Sequence, residues 1–278
     1  ERIRHTQRFR SVHIRKIIIA TGFITISMIS NPTMKTSSAA RAATDVTPII
    51  VYTFDIPPYT IHDQGNFSGA AYEIIRAVFS RAKVPCTVKL LPFSRAYRTT
   101  QSSRDTFVFP LIKMAKREND FEWIGTITPS PMSVFALASR TDIRICTLDD
   151  MRKYRIGTVQ NDSRERYLLD HAFPLGSMQR LSGTDPYERN IRKLAMGRID
   201  LLPMPDYVFY YLCRKTGTDP KIFQKVFRFE ELSAQGYSLA ASPGTDTSIC
   251  EKIRTELARF KETGEYTAIL SKYGISAR

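Results

Sequence analysis

The stretch RIGTVQNDSRERYL, residues 155–168, decides the fold. RIGTV is an apolar run of strand length, and Asn161, Asp162 and Ser163 after it are a cluster of residues that cap helix N-termini. A strand that runs straight into a capped helix is half of a βα unit. The chain repeats the pattern downstream. Residues 185–196 read as a helix with Gly197 as its stop, residues 199–204 as a strand, and Pro205 and Asp206 open a helix bearing Tyr207, Tyr210 and Tyr211.

Upstream the same alternation holds. Residues 48–54 (PIIVYTF) read as a buried strand that the prolines of IPPY cannot continue. Tyr72, Ile75, Val78, Phe79 and Ala82 recur at three and four, marking one face of a helix over residues 69–83. Residues 87–91 and 106–112 are strands, Pro92 starts a short helix between them, residues 133–139 are extended, and Thr147 marks a helix start. At the far end, residues 222–229 and 235–241 are strands, followed by a helix over residues 247–261 stopped at Gly264 and a shorter one reaching Tyr273. Strands alternating with helices in this way predict an α/β protein.

The first 42 residues differ from all of this. Six basic residues from Arg2 to Lys16 precede an apolar run of 13 residues, Ile17 to Ile29, and SSAARAA follows, the order of an export signal. The run is short for a membrane span, which needs about 20 residues. A cleaved leader places the protein in the periplasm, free and monomeric. It also removes eight of the 41 Lys and Arg and one of the 27 acids, so the formal charge of +14 falls to +7. The remaining bases are scattered and no nucleic-acid-binding signature organises them, which excludes nucleic acid as a partner. A mild positive field suits a small anionic or zwitterionic ligand. Cys86, Cys146, Cys213 and Cys250 form no CxxC pair, which disfavours a metal site; an oxidising compartment permits bridges among them in any pairing.

The order of motifs resembles the bacterial extracellular solute-binding proteins of family 3, receptors for polar amino acids. PPY at 57–59, GAAYE at 69–73, LPFSRAY at 91–97, KRENDFEWIG at 116–125, RIGTVQNDSRERYL and LAMGRIDLLPMPD at 194–206 carry the resemblance. It implies a two-lobe periplasmic binding protein of type II. The chain would cross twice between lobes, near residues 133–138 and 233–238. Residues 43–135 and 235–278 then build one lobe and 136–234 the other, with the leader at 1–42. Any disulfide should stay within a lobe, pairing Cys146 with Cys213 or Cys86 with Cys250. The resemblance further implies ligand binding without chemistry or cofactor, for uptake through a membrane permease of the ABC type. The alternatives are a sensory module that presents its closed form to a membrane partner, and an enzyme resembling the cyclohexadienyl dehydratases.

In open α/β sheets ligands bind beyond the carboxyl ends of strands. Arg117, after the strand over residues 106–112, matches the family's arginine for the ligand carboxylate, and a planar guanidinium can give that group two parallel hydrogen bonds. The lead-in here is Met114, Ala115 and Lys116, without the family's threonine hydroxyl. Asp206 matches the aspartate for the ligand ammonium, though a carboxylate there also suits a helix start. Asn161, Asp162 and Ser163 would offer free N–H groups at a helix N-terminus. Tyr59 would supply an aromatic wall, and Arg95 would face the cleft. Trp123 reads as packing. His62 and His171 are far apart in sequence, and no GxSxG, HExxH or P-loop motif accompanies them.

Overall fold

Ile49–Thr53 (β1) is the apolar run on which the first sheet is built. The structure, a computed structural model, describes residues 48–183 and 185–276; the expected leader lies outside them. After β1 comes a small hairpin, Ile61–Asp63 (β2) and Asn66–Ser68 (β3). Gln64 and Gly65 turn it with φ of 46° and 85°, the pair of positive values a two-residue hairpin turn needs. The sequence reading missed this hairpin because each strand is only three residues long. Helix α1 (Ala70–Arg81) follows and buries Ala71, Ile74, Ile75, Val78 and Phe79. Then come Cys86–Leu90 (β4), helix α2 (Phe93–Ser102) and Thr106–Leu111 (β5), buried at every position.

A 3-10 turn over Ala115–Asp120 leads into Glu122–Thr128 (β6), a strand the sequence reading did not assign. Residues 129–131 then carry the chain to a different sheet. Met132–Leu137 (β7) is the centre of that second sheet. Next come a 3-10 turn over Leu148–Lys153, capped reciprocally by Thr147 and Asp150, then Ile156–Val159 (β8) and helix α3 (Ser163–Asp170). Met178–Leu181 (β9), helix α4 (Pro186–Ala195), Leu202–Pro205 (β10), helix α5 (Asp206–Thr216) and Phe223–Arg228 (β11) complete this part. A one-and-a-half-turn helix α6 (Glu230–Gln235), also not foreseen, leads to Tyr237–Ala241 (β12). Helices α7 (Thr247–Lys261) and α8 (Gly264–Lys272) close the chain.

The strand order of the first sheet is β4-β1-β5-β12-β6, so the returning β12 is inserted between β5 and β6. β1 is parallel to β4 and β5, while β12 is antiparallel to both its neighbours. The second sheet is antiparallel, β10-β7-β11, and the parallel pair β8-β9 lies next to it through the bridge between Ile156 and Leu201. The change of sheet falls at residues 129–131 and 229–236. The division expected between 135 and 136 therefore passes through β7, because all of β7 pairs with β10 or β11.

Both crossings are tied down. Tyr59 is wholly buried, its hydroxyl donates to the Pro129 carbonyl at 3.0 Å, and its ring meets Tyr237 edge to face at 4.6 Å. Gly236, just before β12, has φ 59° and ψ −172°, and a Cβ there would lie 2.7 Å from the Thr128 carbonyl oxygen. Only glycine fits that approach. Among the described residues no helix is long and apolar enough to cross a membrane, and no group of His, Cys, Asp or Glu is placed to hold a metal ion. All four cysteines are free thiols.

Candidate functional site

Two cavities, of about 430 and 580 Å³, and a small one of about 20 Å³ share Phe93 in their linings. The small cavity receives Phe54, Phe93, Arg117 and Tyr237 from the part of the chain that builds the first sheet, and Asp162, Ser163, Arg164 and Tyr187 from the part that builds the second. It thus sits between the two sheets, with lining from the turn after β5 and from the N-terminus of α3.

The turn after β5 delivers Arg117. Its side chain is 8% exposed, and no acid lies within salt-bridge distance among the described residues. What holds it is aromatic: the guanidinium stands 5.8 Å from the Phe93 ring centre and 5.1 Å from that of Tyr97. Tyr97 in turn donates its hydroxyl to Asp120, which also accepts from Gln101 Nε2 at 3.0 Å. Burial lowers the Arg117 pKa from its ordinary value, the sign expected for a cation removed from water, although a guanidinium stays charged.

Helix α2 explains which residues of LPFSRAY reach the site. Phe93 and Tyr97 are four apart and share one face, so both line the 430 Å³ cavity. Arg95 lies off that face and is exposed, outside the lining of these cavities. Tyr59, expected as an aromatic wall, is outside the linings of these cavities and packs instead at the crossings, against Pro129 and Tyr237.

At the other wall, Asp162 caps α3 by accepting from the Glu165 N–H at 2.9 Å, and Glu165 returns the favour to the Asn161 N–H at 2.7 Å. Asn161 takes a left-handed φ of 64°, which asparagine tolerates, and lines both larger cavities. Glu165 is itself anchored by Arg180 at 2.6 Å and by Thr158. Asn161, Asp162 and Ser163 therefore do come together with Arg117 around the cleft. The Asp162 carboxylate, however, already occupies part of the N-terminus that was expected to receive a ligand.

Arg164 was not singled out in the sequence. It is 3% exposed, its Nη2 is 2.5 Å from Asp162 Oδ2, and its guanidinium lies 5.3 Å from the Tyr187 ring centre. Burial opposes its charge, but the Asp162 carboxylate and Tyr187 outweigh it, so its pKa is raised. Its Nε is buried with no hydrogen-bond partner among the described residues. A donor left in that state typically costs about 1–3 kcal/mol. The available signal was its place one residue after Ser163, on the first turn of a helix already marked as facing the cleft.

Asp206 opens α5 and is 8% exposed. Lys225 Nζ lies 2.6 Å from its Oδ2, while Oδ1 is buried without a partner among the described residues. It lies outside the lining of the three cavities, next to Tyr59, which packs on Tyr237 of the cavity wall. Trp123 donates its indole N–H to the Glu118 carbonyl at 3.1 Å and packs on Phe121.

The family model described as bacterial extracellular solute-binding proteins, family 3, matches residues 49–276. No curated protein matches the sequence. Among solved structures, a histidine kinase sensor domain with similarity to periplasmic binding proteins superposes with a TM-score of 0.69 at 22% identity, covering 83% of this chain and 98% of the other. The substrate-binding protein of an amino acid ABC transporter gives 0.64 at 20%, covering 82% and 99%. The GluR0 ligand-binding core from Nostoc punctiforme, in complex with L-glutamate, gives 0.66 at 18%, covering 82% and 99%. At these identities the likeness is one of fold.

Proposed function

The chain belongs to the bacterial extracellular solute-binding proteins, family 3, and on that premise we propose that it works in the periplasm, binds an amino acid or related small carboxylate, and delivers it to a membrane permease. The observation that carries the reading is Arg117: a buried guanidinium without an acid partner among the described residues, beside two aromatic rings, on the wall of a cavity between two sheets. A carboxylate fits its paired donors.

The ammonium of the same ligand belongs to Asp206. Lys225 holds that carboxylate by Oδ2 and leaves Oδ1 as a buried acceptor in need of a donor. Because Asp206 lies outside the lining, this contact requires the two sheets to shift about residues 129–131 and 229–236, the hinge of a closing pair of lobes. Binding without chemistry is the role assigned to the cleft, since Asp162 in the cavity lining is engaged both by Arg164 and by the Glu165 N–H.

A thermal-shift screen against amino acids and small carboxylates tests the function. A ligand at about 100 times its dissociation constant adds roughly 2.7 kcal/mol of stability. A panel that raises the melting temperature with no carboxylate would contradict the proposal.

A further inference from the structure

Arg164 is a buried cation that the Arg117 contact leaves unused. Arg117 comes from the turn after β5 and Arg164 from the first turn of α3, and both line the cavity of about 20 Å³ between them. We propose that Arg164 is a second guanidinium for the ligand's anionic group, donating from Nε, and that Asp162 sets how strongly it does so. The proposal deepens the ligand reading above and rests on it.

The arrangement of donors gives each group its part. Asp162 Oδ2 takes one terminal nitrogen of Arg164 at 2.5 Å, and its Oδ1 is spent on the Glu165 N–H at 2.9 Å. The Tyr187 ring stands beside the guanidinium. Among the described residues Nε is a buried donor without an acceptor. Two arginines and one aspartate leave the cavity lining with a surplus of one positive charge, which one carboxylate neutralises.

Placing the two cations on opposite walls makes closure depend on the ligand. As the walls approach, like charges repel in a site from which water is excluded. An anion between them turns that repulsion into two charge-assisted hydrogen bonds. A neutral amide of the same shape gains neither. The ligand class is therefore a compound that presents one carboxylate to both arginines, and Asp162 weakens the clamp by half-neutralising Arg164.

The two residues of this ion pair should then affect affinity in opposite directions, which a merely structural pair would not. Calorimetric titration of the full chain with L-glutamine, L-arginine, L-glutamate and succinate provides the test. For whichever of these binds wild type best, Arg164→Gln should weaken binding by about 30-fold, the loss expected for one partner of a buried charged contact. Asp162→Asn should tighten it by about threefold or more, because the cavity lining becomes more cationic. The double variant Asp162→Asn with Arg164→Gln removes both charges together, guards against misfolding, and should stay about tenfold weaker than wild type. Single variants that shift affinity in the same direction, or an Arg164→Gln that binds like wild type, would overturn the second guanidinium. Wild type that binds none of the four carboxylates would overturn the ligand class. Full binding by Arg117→Ala would instead remove the underlying site reading, whatever the contrast at Asp162 and Arg164.

Discussion

Lys225 Nζ lies 2.6 Å from Asp206 Oδ2 and leaves Oδ1 of the same carboxylate buried and, among the described residues, unpartnered. The half-exposed lysine fixes the orientation of the carboxylate while an acceptor remains for a second cation. If that cation is the ligand's ammonium, Asp206→Asn should weaken an α-amino acid by about 30-fold, or roughly 2 kcal/mol, and spare the hydroxy acid of the same skeleton. Titration of the variant with both compounds checks this. Equal losses for the two, or none, would leave Asp206 a structural partner of Lys225.

Asp200 should make the protein sensitive to acid. Its carboxylate is 10% exposed and accepts from Arg155 Nε at 2.9 Å, from the Arg155 N–H at 3.0 Å and from Arg140 Nη1 at 2.8 Å. The bonds to Arg155 come first in holding its pKa well below the ordinary 3.8. A depressed folded pKa means that the stabilisation is complete above the unfolded value and is lost as pH falls below it. Asp200→Asn should therefore lower the unfolding free energy at pH 7 by about 1–3 kcal/mol, with the gap to wild type narrowing below about pH 4. Urea titrations of both proteins across that range would show it, and a gap independent of pH would count against the network.

The four thiols should react in an order set by burial. Cys146 is exposed, whereas burial pushes Cys213 and Cys250 up to about 11 and raises Cys86 as well. A thiolate is the reactive form, so a labelling reagent at pH 8 should modify Cys146 first and reach Cys213 and Cys250 only on unfolding. Peptide mapping would read the order. A disulfide between any two of the four would contradict the free-thiol arrangement.

Gly236 should not tolerate a side chain. Its φ of 59° and the 2.7 Å approach of a built Cβ to the Thr128 carbonyl put the clash on backbone, which has little room to move. Gly236→Ala should cost about 1–3 kcal/mol in chemical denaturation and disturb the second crossing. A variant as stable as wild type would show that this junction is looser than the geometry requires.

Local signals made most of the fold legible. Residues 247–261 were expected as a helix with the bounds that α7 has, and Asp162 caps α3 as the Asn161 to Ser163 cluster suggested. β2, β3 and β9 escaped because three or four residues carry too little periodicity, and their pairing partners supply the order instead. The insertion of β12 between β5 and β6 is a long-range fact that no local pattern encodes; only the family resemblance pointed to a return of the chain.

For the candidate site, the sequence pointed to Arg117 and the α3 loop, which line common cavities, and the resemblance was what separated them from other polar residues after strands. Arg95 and Tyr59 lie outside the linings of these cavities. Helical phase keeps Arg95 off the face of Phe93 and Tyr97, two residues from each, and Tyr59 packs into a crossing whose existence is tertiary. Arg164 was invisible because an arginine on a short helix is ordinarily solvated, and its burial depends on Tyr187 and Asp162 closing over it.

The most direct test is titration of Arg117→Ala with the best ligand from the carboxylate screen, alongside the melting temperature of the unliganded variant. Arg117 has no acid partner among the described residues, so its removal should leave the melting temperature nearly unchanged. Its loss from the site should cost about 2–5 kcal/mol of binding, or roughly 30-fold to several thousand-fold in affinity. A folded Arg117→Ala that binds within about threefold of wild type, a difference worth only roughly 0.6 kcal/mol, would contradict the account at its centre.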